Sequence, residues 1–173
     1  MSAGRAVVVM GVSGCGKTSV AEGLAAALGA GFLEGDQLHP QANIDKMSKG
    51  IPLTDADRWP WLDRIGAELR AVTGAGAPIV ASCSALKRAY RDRLRAEAGG
   101  DLSFVFLRGS RELLIGRMQE RKGHFMPASL LDSQLATLED PSGEVGVVTV
   151  DIDAPLDEIV ATSLQRLRAQ WRR

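Results

Sequence analysis

The chain has 173 residues, 45% hydrophobic and 24% charged, with 21 basic and 21 acidic side chains and so no formal net charge. That composition suits one globular domain, excludes disordered and collagen-like chains, and argues against a general nucleic-acid or anionic-membrane binder. No apolar run approaches the ~20 residues that cross a bilayer, and two cysteines and two histidines without metal-ligand spacing exclude a structural zinc module.

Residues 5–10 predict a short, fully buried strand, because the run is β-branched without polar alternation. It is too short for a signal-peptide core. The glycines of 11–16 break it, and Lys17–Leu28 predicts a helix with Val20, Leu24 and Leu28 on one stripe. Phe32–Glu34 predicts a second strand, 35–40 a polar loop and 41–48 a short helix. A long helix follows over 54–73, capped by Thr54, with Leu62, Ile65 and Leu69 inward. Pro60 in its first turns moves the expected start toward Asp57 or Trp59.

Further strands are expected over 77–82, 102–107 and 144–151. Helices are expected over 86–98, from a Ser110 cap to Glu120, over 127–138, and over 155–171 with Leu156, Val160, Leu164 and Leu167 inward. Residues 121–126 form a charged, glycine-containing break, read as a mobile lid within a broader 117–130 segment. Strands alternating with helices imply a five-stranded parallel α/β sheet covered on both faces, in one domain spanning 1–173. Cys15 and Cys83 read as reduced thiols of a cytoplasmic protein.

Gly11-Val12-Ser13-Gly14-Cys15-Gly16-Lys17-Thr18 fits G-x-x-x-x-G-K-[ST] at every fixed position. A buried strand precedes it and a helix without a capping side chain follows. In that setting backbone N–H groups turn inward around phosphate oxygens, and the helix directs its unpaired N–H groups to the same place. Lys17 then bridges β- and γ-phosphates, and Thr18 offers its hydroxyl to Mg²⁺. ATP with Mg²⁺ is the expected nucleotide. A GTPase-type switch needs a guanine-reading N-K-x-D segment, which the chain lacks, and Asp63-Arg64-Ile65-Gly66 falls within a helix. A small-molecule kinase is favoured over a switch or binding module.

Acceptors gather beyond the carboxyl ends of parallel strands. Asp36, past a glycine bend, is the candidate proton acceptor for a substrate hydroxyl. Glu34 is placed to hold the magnesium hydration shell. The alternative for either acid is a helix cap. Arg58 and Lys87 are candidate anchors for an anionic acceptor, near Asn43, Lys46 and Ser84. The alternative for Arg58 is a surface ion pair with Asp55 or Asp57. His39 and His124 read equally well as ordinary surface histidines. Arg117 and Arg121, one helical turn apart, bring positive charge toward the phosphoryl group.

These residues together resemble the gluconokinases, in the wider group that holds shikimate and nucleoside monophosphate kinases. The resemblance covers essentially the whole chain. Its specific segments are Gly35-Asp-Gln-Leu-His-Pro40, Cys83-Ser-Ala-Leu-Lys87 and Arg121-Lys-Gly-His-Phe125, with Tyr90-Arg-Asp92 in support. It implies a three-layer P-loop kinase fold with a short mobile lid, a cytoplasmic homodimer, and transfer of the ATP γ-phosphoryl group to the 6-hydroxyl of gluconate. It implies nucleotide contacts along Gly11, Ser13, Gly14, Cys15, Gly16, Lys17, Thr18 and Ser19. Arg117 would lie over the adenine, with Ala154 and Pro155 lining the base site. Asp36, His39, Lys46, Arg58, Ser84, Lys87, His124 and Gln134 would surround the sugar acid, with Arg121 as the lid arginine. At position 34 the family pattern more often has Asp where this chain has Glu. A shikimate-like hydroxy acid is the alternative acceptor.

Overall fold

The computed structural model describes residues 4–120 and 128–172. Five strands, β1 (Ala6–Met10), β2 (Gly31–Glu34), β3 (Ile79–Ser82), β4 (Leu102–Arg108) and β5 (Val147–Asp151), form one parallel sheet in the order β2-β3-β1-β4-β5. The register runs Val9 beside Ser82 on one side and beside Val105 on the other. Among the described residues, seven α-helices cover it: α1 (Lys17–Leu28), α2 (Gln41–Ser48), α3 (Asp55–Gly74), α4 (Arg88–Ala98), α5 (Arg111–Glu120), α6 (Ala128–Thr137) and α7 (Leu156–Trp171). None is long and apolar enough to cross a membrane.

All five β1 side chains are buried because both faces of the sheet are covered. Val7 and Val9 join one core with α1, α5 and α7; Ala6, Val8 and Met10 join the other with α3 and α4. Strand periodicity of two thus survives where polarity does not alternate. The chain passes from β1 to β2 on one side of the sheet and later returns to place β4 on the other. The loops after β1 and β3 therefore diverge at the carboxyl end of β1, the crevice where α/β sheets bind ligands.

Three expectations change. Helix α3 begins at Asp55, because Thr54 and Asp57 form a reciprocal capping box that fixes the start ahead of Pro60. Residues 35–38 form a 3-10 turn within the expected loop. In α7 the expected Val160, Leu164 and Leu167 pack on the core, but Leu156 is 49% exposed, and Ile159 and Ser163 are the further buried positions. The Ser163 hydroxyl donates to the Ile159 carbonyl, so a polar residue sits inward without an orphaned group. The 121–126 break lies outside the described residues.

Candidate active site

Beyond β1 the chain turns through Gly14 and Gly16, both at positive φ (85° and 87°), into α1. No side chain caps α1, so its leading N–H groups remain available to an anion. Lys17 Nζ donates to the Val12 carbonyl at 3.3 Å. Ser13 N–H donates to Gln134 Oε1 of α6 at 2.7 Å, and Gly11 N–H donates to the Ser84 carbonyl at 3.3 Å. Gln134, which the resemblance places around the acceptor, thus contacts the phosphate loop. Cys15 is fully buried in this loop, and burial raises its thiol pKa. It fills space as a neutral thiol. Ser19 in the first turn of α1 is exposed.

Thr18 Oγ1 donates to Glu34 Oε2 at 2.7 Å, and Ser82 Oγ donates to Glu34 Oε1 at 2.6 Å. The ends of α1, β2 and β3 therefore meet on one carboxylate. These oxygens suit a hard cation that keeps most of its waters. The Thr18 hydroxyl and Glu34 carboxylate would fit Mg²⁺ whose other positions are filled by water and phosphate. Neither Glu34 nor Asp36 caps a helix: Pro40 precedes α2, and the 3-10 turn has no side-chain cap.

Gly35 makes the crossing possible. A Cβ there would lie 2.1 Å from the Ser82 carbonyl oxygen, so only glycine fits against the end of β3. Trp61 Nε1 donates to the Gly35 carbonyl at 2.8 Å, fastening the turn from α3. Asp36 follows on the exposed side.

The candidate acceptor cations differ in their partners. Lys46 pairs with Asp57 at 2.7 Å, and Lys87 pairs with Asp55 at 3.1 Å. Arg58 instead donates to Tyr90 Oη at 2.7 Å, and that hydroxyl donates to Asp55. Arg58 is half-buried and has no carboxylate partner among the described residues, so its charge remains available to an anion. The alternative, a direct ion pair with Asp55 or Asp57, does not form: Tyr90 stands between Arg58 and Asp55, and Asp57 pairs with Lys46. The Tyr90 hydrogen bond, followed by that from Lys87, lowers the Asp55 pKa; its carboxylate in turn raises that of Lys87. Burial, aided by Asp55, raises the Tyr90 pKa.

His39 is buried, not on the surface. It stacks on Trp61 with ring centroids 4.1 Å apart, and its Nδ1 lies 3.1 Å from Asn43 Nδ2. Burial lowers its pKa, Asp36 raises it, and Arg58 lowers it further.

Arg91 holds the loop after β3. It is fully buried, and all five of its N–H groups are used. Nη1 donates to the Ala85 and Leu86 carbonyls, Nη2 to the Glu139 carbonyl and Glu144 Oε2, and Nε to Glu144 Oε1. Ala85 there has φ 46°. On the opposite side, Arg117 Nη2 donates to the Ile152 and Ala154 carbonyls, bringing α5 to the 152–155 segment.

The structure thus brings Gly11, Ser13, Gly14, Gly16, Lys17, Thr18, Glu34, Ser84 and Gln134 together around one loop. Arg58, Lys87, His39 and Lys46 lie along the α2–α3–α4 side, and Arg117 reaches Ala154. Arg121 and His124 lie outside the described residues. Sequence reasoning passed over Ser82 and Trp61, named Asp55 only as an alternative partner for Arg58, and gave Tyr90 and Asn43 no task. The legible clue was Tyr90, the chain's single tyrosine, inside an otherwise basic helix.

A family model described as an AAA domain matches residues 7–141. A gluconokinase of Gluconobacter oxydans is 52% identical over 96% of this chain and 93% of its own. A thermoresistant gluconokinase of Escherichia coli is 44% identical over 93% of this chain and 92% of its own. The crystal structure of a gluconokinase from Sinorhizobium meliloti superposes with a TM-score of 0.88, at 59% identity, covering 95% of this chain and 92% of that one.

Proposed function

The chain belongs to the gluconokinase family of P-loop kinases, and we propose that it transfers the γ-phosphoryl group of ATP to the terminal 6-hydroxyl of D-gluconate. The products are 6-phosphogluconate and ADP. The observation that carries this reading is the 52% identity to a gluconokinase over nearly the full length of both chains. In this reading each step has a residue.

The phosphate tail lies in the loop of Gly11 to Ser19, with Lys17 against the β- and γ-phosphates and the N–H groups of α1 directed at their oxygens. Thr18 and Glu34 would hold Mg²⁺ through its waters, and the ion would supply neutralisation of the negative charge that develops in phosphoryl transfer. Asp36 takes the proton from the attacking hydroxyl as that oxygen bonds phosphorus, and the β–γ bridging oxygen leaves with the ADP. Asp36 suits this task because the turn that carries it is pinned by Gly35 and Trp61 beside the Glu34 clamp. Arg58 grips the gluconate carboxylate, with Lys87, Lys46, Ser84 and His39 along the same wall. Arg117 supports the adenine side with Ala154 and Pro155.

From the family resemblance the reading also takes a homodimer, and a 117–130 lid with Arg121 and His124 that closes over both substrates. Exclusion of water gives such a lid its purpose, since ATP would otherwise be hydrolysed. Cys15 and Cys83 are free buried thiols, and burial pushes Cys83 up to about 12. Such thiols suit a reducing cytoplasm.

The test is a coupled ADP-release assay across gluconate, shikimate, nucleoside monophosphates and other sugar acids. Selective turnover of gluconate is expected. Turnover of shikimate in its place would move the acceptor assignment, and nucleotide binding without acceptor-stimulated turnover would overturn the kinase reading.

A further inference from the structure

One buried side chain beside the acceptor wall has both its donors committed. Asn43 on α2 is 2% exposed. Its Nδ2 lies 2.9 Å from the Asp57 backbone oxygen and 3.1 Å from His39 Nδ1. A backbone carbonyl only accepts, so the amide atom facing Asp57 is the NH₂ group and not the carbonyl oxygen. One amide hydrogen goes to Asp57, and the second points to His39 Nδ1. That nitrogen must therefore offer a lone pair, and the proton of a neutral imidazole sits on Nε2.

Nε2 has no partner among the described residues. None of the fully buried side-chain nitrogens and oxygens among those residues lacks a partner. The Nε2 edge of the ring therefore reaches solvent, although His39 as a whole is only 8% exposed. The charged groups acting on the ring are Asp36 of the 3-10 turn and Arg58 of α3, the residues assigned above to the acceptor hydroxyl and carboxylate. Lys46, on the same helix as Asn43, is engaged by Asp57. The Trp61 face stacked on the ring is uncharged.

We infer that Asn43 is a positioning residue that locks His39 as its Nε2–H tautomer, so that the acceptor wall presents a neutral N–H donor near Asp36 and Arg58 to an oxygen of the sugar acid. The inference rests on the gluconokinase reading for the identity of that oxygen; the tautomer itself does not depend on it. A neutral donor at this place selects for a hydroxyl or carboxylate oxygen without adding a second positive charge beside Arg58. Burial and Arg58 both oppose protonation, which keeps the donor neutral at ordinary pH.

The direct measurement is a long-range ¹H–¹⁵N spectrum of the untagged protein. His39 and His124 are its only imidazoles, so a His124→Gln variant leaves a single ring to assign. The expected result at pH 7.5 is an unprotonated Nδ1 and a protonated Nε2. A protonated Nδ1, or an even mixture of tautomers, overturns the inference. Asn43→Asp supplies a second test, because its carboxylate accepts a proton from Nδ1 and leaves the lone pair on Nε2. In that variant Nδ1 becomes protonated and the ring titrates higher. KM for gluconate at pH 8 is expected to rise about tenfold, the size of one lost hydrogen bond to a charged group. That penalty should shrink toward pH 6 as the imidazolium regains its Nε2 proton. A loss of kcat independent of pH, with KM unchanged, assigns Asn43 a packing role only and overturns the inference. The wild-type assay separates the two levels: gluconate turnover with the wrong tautomer sinks the positioning claim alone, whereas the right tautomer without gluconate turnover sinks the substrate reading and the oxygen assigned to this donor.

Discussion

Replacing Gly35 by alanine probes how the acid-bearing turn is held against the sheet. The new Cβ would sit 2.1 Å from the Ser82 carbonyl oxygen and 3.3 Å from Ile65 Cδ1. Ordinary contact begins near 3.4 Å, so the turn and β3 must part by about 1.3 Å. The obstructing atom is backbone in a paired strand, where Glu34 lies beside Ser82, and it cannot rotate away. Separation stretches three bonds at once: Ser82 Oγ to Glu34, Gly35 N–H to Ser82 Oγ, and Trp61 Nε1 to the Gly35 carbonyl. Overpacking of this kind costs about 1–3 kcal/mol, or about 2–12 °C in Tm for a chain of this size. Because Glu34 and Asp36 flank the displaced residue, a shift of about 1 Å is also expected to lower kcat about 100-fold. A thermal melt and initial-rate ADP release with gluconate read the two effects separately. An alanine variant with unchanged Tm and unchanged kcat would refute the close crossing, and with it the account of how both acids are placed.

Asp36→Asn is expected to remove turnover while leaving ATP-analogue affinity within threefold; near-normal kcat takes Asp36 out of proton transfer. Arg58→Ala should raise KM for gluconate about 10- to 100-fold with a smaller effect on kcat, the range for a lost charge-assisted bond. An unchanged KM places the carboxylate elsewhere. Arg91→Lys retains the charge but has three donors for five acceptors, and it is expected to destabilise the fold by about 3 kcal/mol in urea titration; a loss under 1 kcal/mol contradicts the network. Acid should act in two stages. The His39 pKa is lowered on folding, so the stability this brings is present above the unfolded value of 6.5 and declines as pH falls through it. Lys46 and Thr54 hold Asp57 down to about 2, and Arg91 with Arg95 lowers Glu144, so their stabilisation is full above about pH 5 and is lost toward pH 2. Urea midpoints measured from pH 8 to 3 check both stages, and a midpoint that rises on acidification contradicts the signs.

The sheet and the phosphate loop were legible because both depend on local pattern. Five apolar runs mark the strands, and the glycine-lysine-threonine segment needs no distant partner to be recognised. The Asp55 start of α3 was masked because proline chemistry was weighted above a capping box that satisfies two backbone donors at once. On α7 the expected Val160, Leu164 and Leu167 do face the core, whereas Leu156 is exposed at the helix start and Ser163 joins the buried stripe because its hydroxyl is satisfied within the helix. The acceptor wall was legible as a set of residue types and not as a set of partners. Whether Arg58 meets Asp55 directly or through Tyr90 depends on how α3 packs on α4, which spacing along one helix does not encode. The part played by Asn43 depends on a carbonyl 14 residues away, and Glu34 gains its orientation from a serine 48 residues on.

The fastening at Arg91 bears on transplantation. The pentapeptide Cys83–Lys87 looks like a self-sufficient recognition element, yet its bend is secured by a guanidinium outside it and by Glu139 and Glu144 some fifty residues downstream. Moved into another kinase scaffold by itself, the pentapeptide would carry its side chains but leave its conformation behind. A successful graft would need α4 through Arg91 together with the 139–144 stretch.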